Sequence, residues 1–186
     1  QLGEIFQHDI RSLGLHFTTP VLKGGASTGR CMILVTPDGQ RTMNTFLGAS
    51  VELDEKDVDE ALIGAADVTY LEGYLFDRDQ AKAAFIKASE AAHKAGKRVA
   101  LTLSDPFCVG RHRDDFLKLV KGHIDILFAN EDELKSLVQD DDFDKALAAL
   151  SSDVEIAAIT RSEKGAVIRG NGQTVAVPAQ IGRAHV

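Results

Sequence analysis

Short apolar runs alternate along the chain with longer stretches whose apolar positions recur every three or four residues, and this rhythm predicts the elements. "GEIFQHDIRSLG" has helical spacing and stops at Gly14, after which "LHF" reads as a short strand. "TPVLKGGASTG" is rich in chain breakers and reads as a loop. "RCMILVTPDGQRTMNTF" is two β-prone runs parted by Pro37, Asp38 and Gly39, the pattern of a hairpin. From there strand and helix alternate. Asp54 and Asp57 frame the capped start of a helix in "DEKDVDEALIGAA", and the strand "DVTYLEG" follows. "DRDQAKAAFIKASEAAHKAG" is the strongest helical pattern, with Gly96 placed at its C-terminal cap, and "RVALTL" is the next strand. "RDDFLKLVKG" is helical, "IDILFA" a strand, "EDELKSLV" and "DFDKALAALS" a pair of helices, and "EIAAIT" another strand. "GAVIRGNGQTVAVP" reads as a hairpin turning at Asn171 and Gly172.

Strands apolar on both faces and joined by crossover helices imply an α/β fold of three layers, α/β/α, around a mainly parallel central sheet. In such sheets ligands bind beyond the carboxyl ends of the strands. Those ends fall at Glu72 and Gly73, at Ser104 and Asp105, at Asn130 to Glu133, and at Thr160 to Gly165.

Length and charge narrow the picture. A chain of 186 residues suits one domain or part of one. With 21 Lys plus Arg against 28 Asp plus Glu the net charge is −7, and no basic stripe offsets it, so no nucleic-acid partner is expected. No apolar stretch approaches the ~20 residues that span a bilayer, and no secretory leader is visible, so no membrane association is expected and the cytoplasm is the default location. Cys31 and Cys108 are far apart and the six histidines lack metal spacing, which argues against a disulfide framework or a zinc site. The chain starts at Gln1 in mid-pattern, and a fragment truncated at both ends is expected. The tail "IGRAHV", residues 181–186, breaks the preceding alternation and is read as non-native, since the adapter-like sequence ATCGGAAGAGCACACGTC encodes it.

Several residues could carry chemistry. In "NEDE", Asn130 and Glu133 have capping-box spacing, and the neighbouring acids complement the helix dipole. The same amide and carboxylates at a strand end could hold a hydrated magnesium ion, which needs only one or two carboxylates. The two readings are compatible. "TRSEKG" is an ordinary turn in structural terms, yet its hydroxyls and backbone N–H groups at the same sheet edge would suit a nucleotide phosphate. Glu72 is either a solvated loop acid or functional, because burying it alone would be costly. "GGAST" lacks the phosphate-loop pattern, and no GxGxxG follows the first strand. The "RHR" at Arg111 to Arg113 reads as a solvated turn and Cys108 as inert packing.

The order of these motifs resembles the ribokinase-like (PfkB) family of sugar and nucleoside kinases over residues 1–180, with "ALTLSDPF" and "DILFANEDEL" most similar to its adenosine kinase branch. The resemblance implies a partial kinase domain in which residues of about 18–48 form a small β lid hairpin through which a homodimer could form. It implies that Asn130 and Glu133 organise Mg2+ and the phosphates of ATP, and that Asn130, Thr160, Ser162 and Gly165 contact the nucleotide. Many members have glycine where this chain has Ser162. Glu72 falls where ribokinase-type members place a substrate-contacting acid, one that adenosine kinases often lack, which draws the substrate toward a sugar. The implied activity is transfer of the ATP γ-phosphoryl to a hydroxymethyl group of a small-molecule sugar or nucleoside such as adenosine or ribose. The family's Gly-Ala-Gly-Asp segment with the catalytic aspartate is absent from the sequence, so the chain alone is expected to be inactive. The alternatives are a non-catalytic sugar- or nucleoside-binding relative, and an unrelated doubly wound protein in which Asn130 and Glu133 are only a cap.

Overall fold

The computed structural model describes residues 2–150 and 153–180. The expected non-native tail lies outside them. An amino-terminal helix, α1 (Leu2–Ser12), precedes the predicted hairpin of β1 (Arg30–Val35) and β2 (Arg41–Phe46), paired antiparallel with Arg30 opposite Phe46. No strand forms at "LHF"; a run of three residues, only two of them apolar, cannot hold an extended segment in a sheet without a partner strand. The Asp54–Asp57 capping box is present, but it closes a 3-10 turn over Glu55–Asp57. The helix proper, α2 (Glu60–Ala65), starts separately with the Asp59 carboxylate accepting from the Ala61 and Leu62 N–H groups.

The main sheet takes its strands in chain order: β3 (Val68–Glu72), β4 (Arg98–Thr102), β5 (Ile126–Asn130), β6 (Ile156–Thr160), β7 (Ala166–Gly170) and β8 (Gln173–Val177). The first four are parallel and the last two return antiparallel, turning at Asn171 and Gly172 in the left-handed region. Between them run α3 (Asp79–Lys94), α4 (Pro106–Arg111), α5 (Arg113–His123), α6 (Glu131–Val138) and α7 (Phe143–Ala149). Gly96, at φ +70°, follows α3 in the predicted capping place. The apolar rhythm does not announce α4. It is set by Asp105, whose carboxylate accepts from the Cys108 N–H at 2.9 Å, and by Pro106 in the first turn.

Parallel strands laid down in chain order by right-handed crossovers carry all their helices on one face. The burial follows suit. The row Leu71, Leu101, Leu127 and Ala157, with Val99, Ala129 and Ile159, is buried against Phe85, Phe116, Leu134 and Leu147 of the helices. Phe76 stacks on Phe116 with ring centroids 4.1 Å apart. The opposite row is open: Tyr70 is 57%, Phe128 41% and Val175 53% exposed. The described residues therefore supply the sheet and one helix layer of the α/β/α arrangement.

Candidate functional site

Asn130 ends β5 and Glu133 sits in the first turn of α6. The Asn130 side-chain oxygen accepts from the Glu133 N–H at 2.8 Å. The Glu133 carboxylate answers by accepting from the Asn130 backbone N–H at 2.9 Å and its Nδ2 at 2.8 Å. The predicted capping box is thus present, and both side chains are held at the strand end. In the parallel register Asn130 lies beside Thr160, so the turn after β6 opens next to this cap.

Glu133 is buried, and burial pushes its carboxyl above the ordinary glutamate value. The Asn130 N–H pulls the other way, and the negative fields of Asp105, Glu72 and Asp132 add to the rise. Glu72, Asp105 and Glu133 therefore share one electrostatic neighbourhood at the carboxyl ends of β3, β4 and β5. Glu72 is exposed, and its carboxylate accepts from the Ser104 hydroxyl, which also accepts from the Gly73 N–H at 3.0 Å. Ser104 adopts φ +70°, an unusual conformation for a residue with a side chain. Tyr74 belongs to the same group: burial raises its hydroxyl pKa first, and Asp105, Glu72 and Glu133 raise it further. Such a concentration of negative charge favours a cation. Among the described residues no three His, Cys, Asp or Glu side chains converge closely enough to hold a metal ion by themselves. A magnesium ion here would fill its shell with water and phosphate oxygens, which is its usual habit.

The turn after β6 carries Thr160 and Ser162, both exposed, with Ser162 at φ +51°. Gly165 sits at φ +88°, and a Cβ there would lie 2.0 Å from the Val177 carbonyl oxygen. That close approach of β8 requires glycine whether or not a nucleotide binds. Arg161 closes the turn through its backbone, its N–H donating to the Gly165 carbonyl at 2.7 Å. Its side chain reaches α6, where Nε donates to Glu131 Oε2 at 2.8 Å, and its guanidinium lies 3.6 Å above the centre of the Phe143 ring at the start of α7. The Arg161 and Lys135 contacts hold the Glu131 carboxyl down at about 2, so Glu131 is anionic and doubly occupied.

All the predicted site residues, Glu72, Asn130, Glu133, Thr160, Ser162 and Gly165, lie at the carboxyl end of the parallel sheet. The pattern placed Ser104 and Asp105 at a strand end and Arg161 in the turn after β6 without giving any of them a role, and it did not single out Tyr74. Asp105 followed by Pro106 is a visible helix start. Arg161 had no signal, because its partners lie in other elements. Arg111 and His112 are both bound to Asp77, at 3.2 and 2.7 Å, and Arg113 donates to the Leu137 carbonyl, so this basic triplet is engaged. Burial pushes the Cys108 thiol up to about 11, which fits inert packing. A surface hollow of about 360 Å³ lined by His93, His123, Asp125 and Glu155 lies at the opposite, amino end of the strands. There Asp125 is tied to His93 and to the Val99 N–H.

A parallel sheet in chain order with acids and a capped helix at its carboxyl edge, plus a separate antiparallel hairpin, defines a protein of the ribokinase-like class. The pfkB family carbohydrate kinase profile matches residues 1–185, and the chain belongs to that family. The adenosine kinase from Sinorhizobium meliloti is 48% identical and superposes with a TM-score of 0.94, over 100% of this chain and 57% of that one. The guanosine-inosine kinase of Escherichia coli (strain K12) is 32% identical over 126 residues, which is 64% of this chain and 29% of that kinase. A provisionally assigned ribokinase II from E. coli in complex with ATP and Mg2+ has a TM-score of 0.83 at 18% identity, a likeness of fold over 97% of this chain and 59% of that one. The chain thus spans little more than half of the matched structures. Among the described residues no helix is long and apolar enough to cross a membrane.

Proposed function

We propose that the protein is an ATP-dependent kinase that transfers the γ-phosphoryl group to a hydroxymethyl oxygen of a nucleoside such as adenosine or a sugar such as ribose. The observation that carries the reading is the Asn130–Glu133 box standing beside Thr160 in the parallel register, at the strand ends where Glu72 and Asp105 also lie. The 48% identity to an adenosine kinase over the full chain supports it.

In this reading Asn130 and Glu133 hold the hydrated magnesium of MgATP, and the ion supplies charge neutralisation to the phosphates. The residues' own work is positional. The capping box fixes the amide and the carboxylate before a ligand arrives, so little ordering is left for the binding step. Thr160 and Ser162 offer hydroxyls, and the 160–165 turn offers backbone N–H groups, to the nucleotide phosphates. Glu72, oriented by Ser104, accepts a hydrogen bond from a substrate hydroxyl at the far side of the same edge. On the family resemblance the hydroxyl proton would be accepted by the aspartate of a Gly-Ala-Gly-Asp segment, and the 186 residues contain no such run.

The full-length protein incubated with MgATP and either adenosine or ribose should convert at least one of them to a phosphomonoester. A thermal-shift panel of the two, with fructose as a further arm, should rank them, since a ligand that binds only the folded state raises its midpoint. Binding of a nucleoside or sugar with no ATP-dependent product would overturn the kinase reading in favour of a binding protein.

A further inference from the structure

We infer that Arg161 is a positioning residue that clamps the two halves of the proposed nucleotide site together through Glu131. The inference rests on the kinase reading and deepens it, because it assigns the second residue of the Asn-Glu-Asp-Glu motif to the clamp.

The two halves are separate in sequence. One is the first turn of α6, carrying Asn130 and Glu133, and the other is the turn from Thr160 to Gly165 after β6. The ladder between β5 and β6 aligns Asn130 with Thr160 and runs no further. Beyond it the turn is joined to α6 and α7 through the Arg161 side chain, whose Nε donates to Glu131 Oε2 at 2.8 Å while its guanidinium stacks on Phe143. The main chain of the same residue defines the turn, with Arg161 N–H bonded to the Gly165 carbonyl and the Arg161 carbonyl accepting from Lys164 N–H at 3.0 Å. One residue therefore shapes the turn and ties it to the helix that presents Glu133. Glu131 gives its other oxygen to Lys135 at 2.8 Å, so its charge is already met by two cations, whereas the Glu133 oxygens accept only from the uncharged N–H groups of Asn130. Arg161 and Glu131 side chains are mostly shielded, 23% and 19% exposed, which makes the pair stiffer than an open surface contact. A phosphate bridging both halves feels any slack between them, because misplacement by a fraction of an ångström weakens charge-assisted contacts.

The test uses the full-length protein with Arg161→Met, Glu131→Gln and the double variant, measuring KM for MgATP, kcat and the thermal midpoint. Each single variant is expected to raise KM for MgATP roughly fivefold with kcat falling less, and the double variant should be no worse than the worse single, since both changes remove one shared contact. Arg161→Lys should recover part of the loss. A lowered midpoint with unchanged KM in all variants would reduce the pair to a structural bridge and overturn the clamp. Effects that multiply in the double variant would also overturn it, because Arg161 would then be touching phosphate independently of Glu131. If the unaltered full-length protein shows no MgATP-dependent product, the kinase reading falls first and the clamp falls with it, an outcome distinct from the other two.

Discussion

Replacing Glu133 with glutamine separates a helix cap from a carboxylate that organises a metal. Glu133 is 5% exposed, and its two oxygens accept the Asn130 N–H at 2.9 Å and Asn130 Nδ2 at 2.8 Å. Glutamine keeps one oxygen for the backbone N–H but turns an NH2 toward the Asn130 amide, so the cap should weaken by about 1 kcal/mol. Working the other way, the substitution deletes a charge that burial, Asp105, Glu72 and Asp132 all disfavour. Because the folded-state carboxyl titrates above its unfolded value, ionised Glu133 burdens the folded state above the folded pKa. The burden is absent below the ordinary glutamate value, where both states are protonated. Glutamine does not titrate. On acidification through that window the stability of the natural protein should therefore rise relative to Glu133→Gln. The assay is urea unfolding of the full-length protein near pH 7 and near pH 4, with and without magnesium chloride. Near neutral pH magnesium should stabilise the natural protein more than the variant, since the ion favours the ionised carboxylate. Equal stabilisation of both by magnesium would refute a metal-organising role, and a stability gap independent of pH would refute the buried-charge argument.

Three further outcomes are expected. Gly165→Ala places a Cβ 2.0 Å from the Val177 carbonyl oxygen at φ +88°, and thermal unfolding should show a loss of about 2 to 3 kcal/mol; a loss under about 0.5 kcal/mol would mean that the β8 contact gives way freely. Iodoacetamide should label the exposed Cys31 of the native protein and spare Cys108, buried and with its thiol pushed up to about 11, until denaturant is added, as peptide mass mapping would read directly. The 186-residue chain mixed with MgATP and adenosine or ribose should give no phosphorylated product above background, the outcome expected if the proton acceptor lies in a Gly-Ala-Gly-Asp segment, which does not occur in the sequence; clear turnover would mean that an acid such as Glu72 or Asp105 serves as base.

What could be read from the sequence was what depends on near neighbours. The Asn130–Glu133 box is a three-residue spacing, and the Asn171–Gly172 turn is a dipeptide whose left-handed backbone follows from its composition. Both were found where the pattern put them. The Asp54–Asp57 box was also correctly spaced, yet spacing does not say whether a helix continues, and Val58 leaves the helical region before Asp59 starts α2. The short α4 escaped because six residues with Pro106 and Gly110 carry too little periodicity, although the Asp105–Pro106 start was visible. Arg161 shows the harder limit. Its partners Glu131 and Phe143 lie 30 and 18 positions earlier, and only the sheet order brings them together.

The strands also say something that the helices alone do not. Along β5, Leu127 and Ala129 are buried against helices, while Ile126 and Phe128 face the other way and are just as apolar. The same holds for Leu71 against Tyr70 in β3 and for Val167 against Ile168 in β7. A sheet designed to face water on one side would alternate apolar with polar residues. Here the alternation is missing, yet chain-order topology sends every crossover helix to a single face. The residues of the outer face are therefore suited to burial that the described helices do not provide. Tyr70 and Phe128 already draw together there, ring centroids 6.4 Å apart, across the intervening β4. Asn130 and Glu72 end the strands that carry Phe128 and Tyr70, so the apolar outer face runs up to the edge that presents the site's amide and acid.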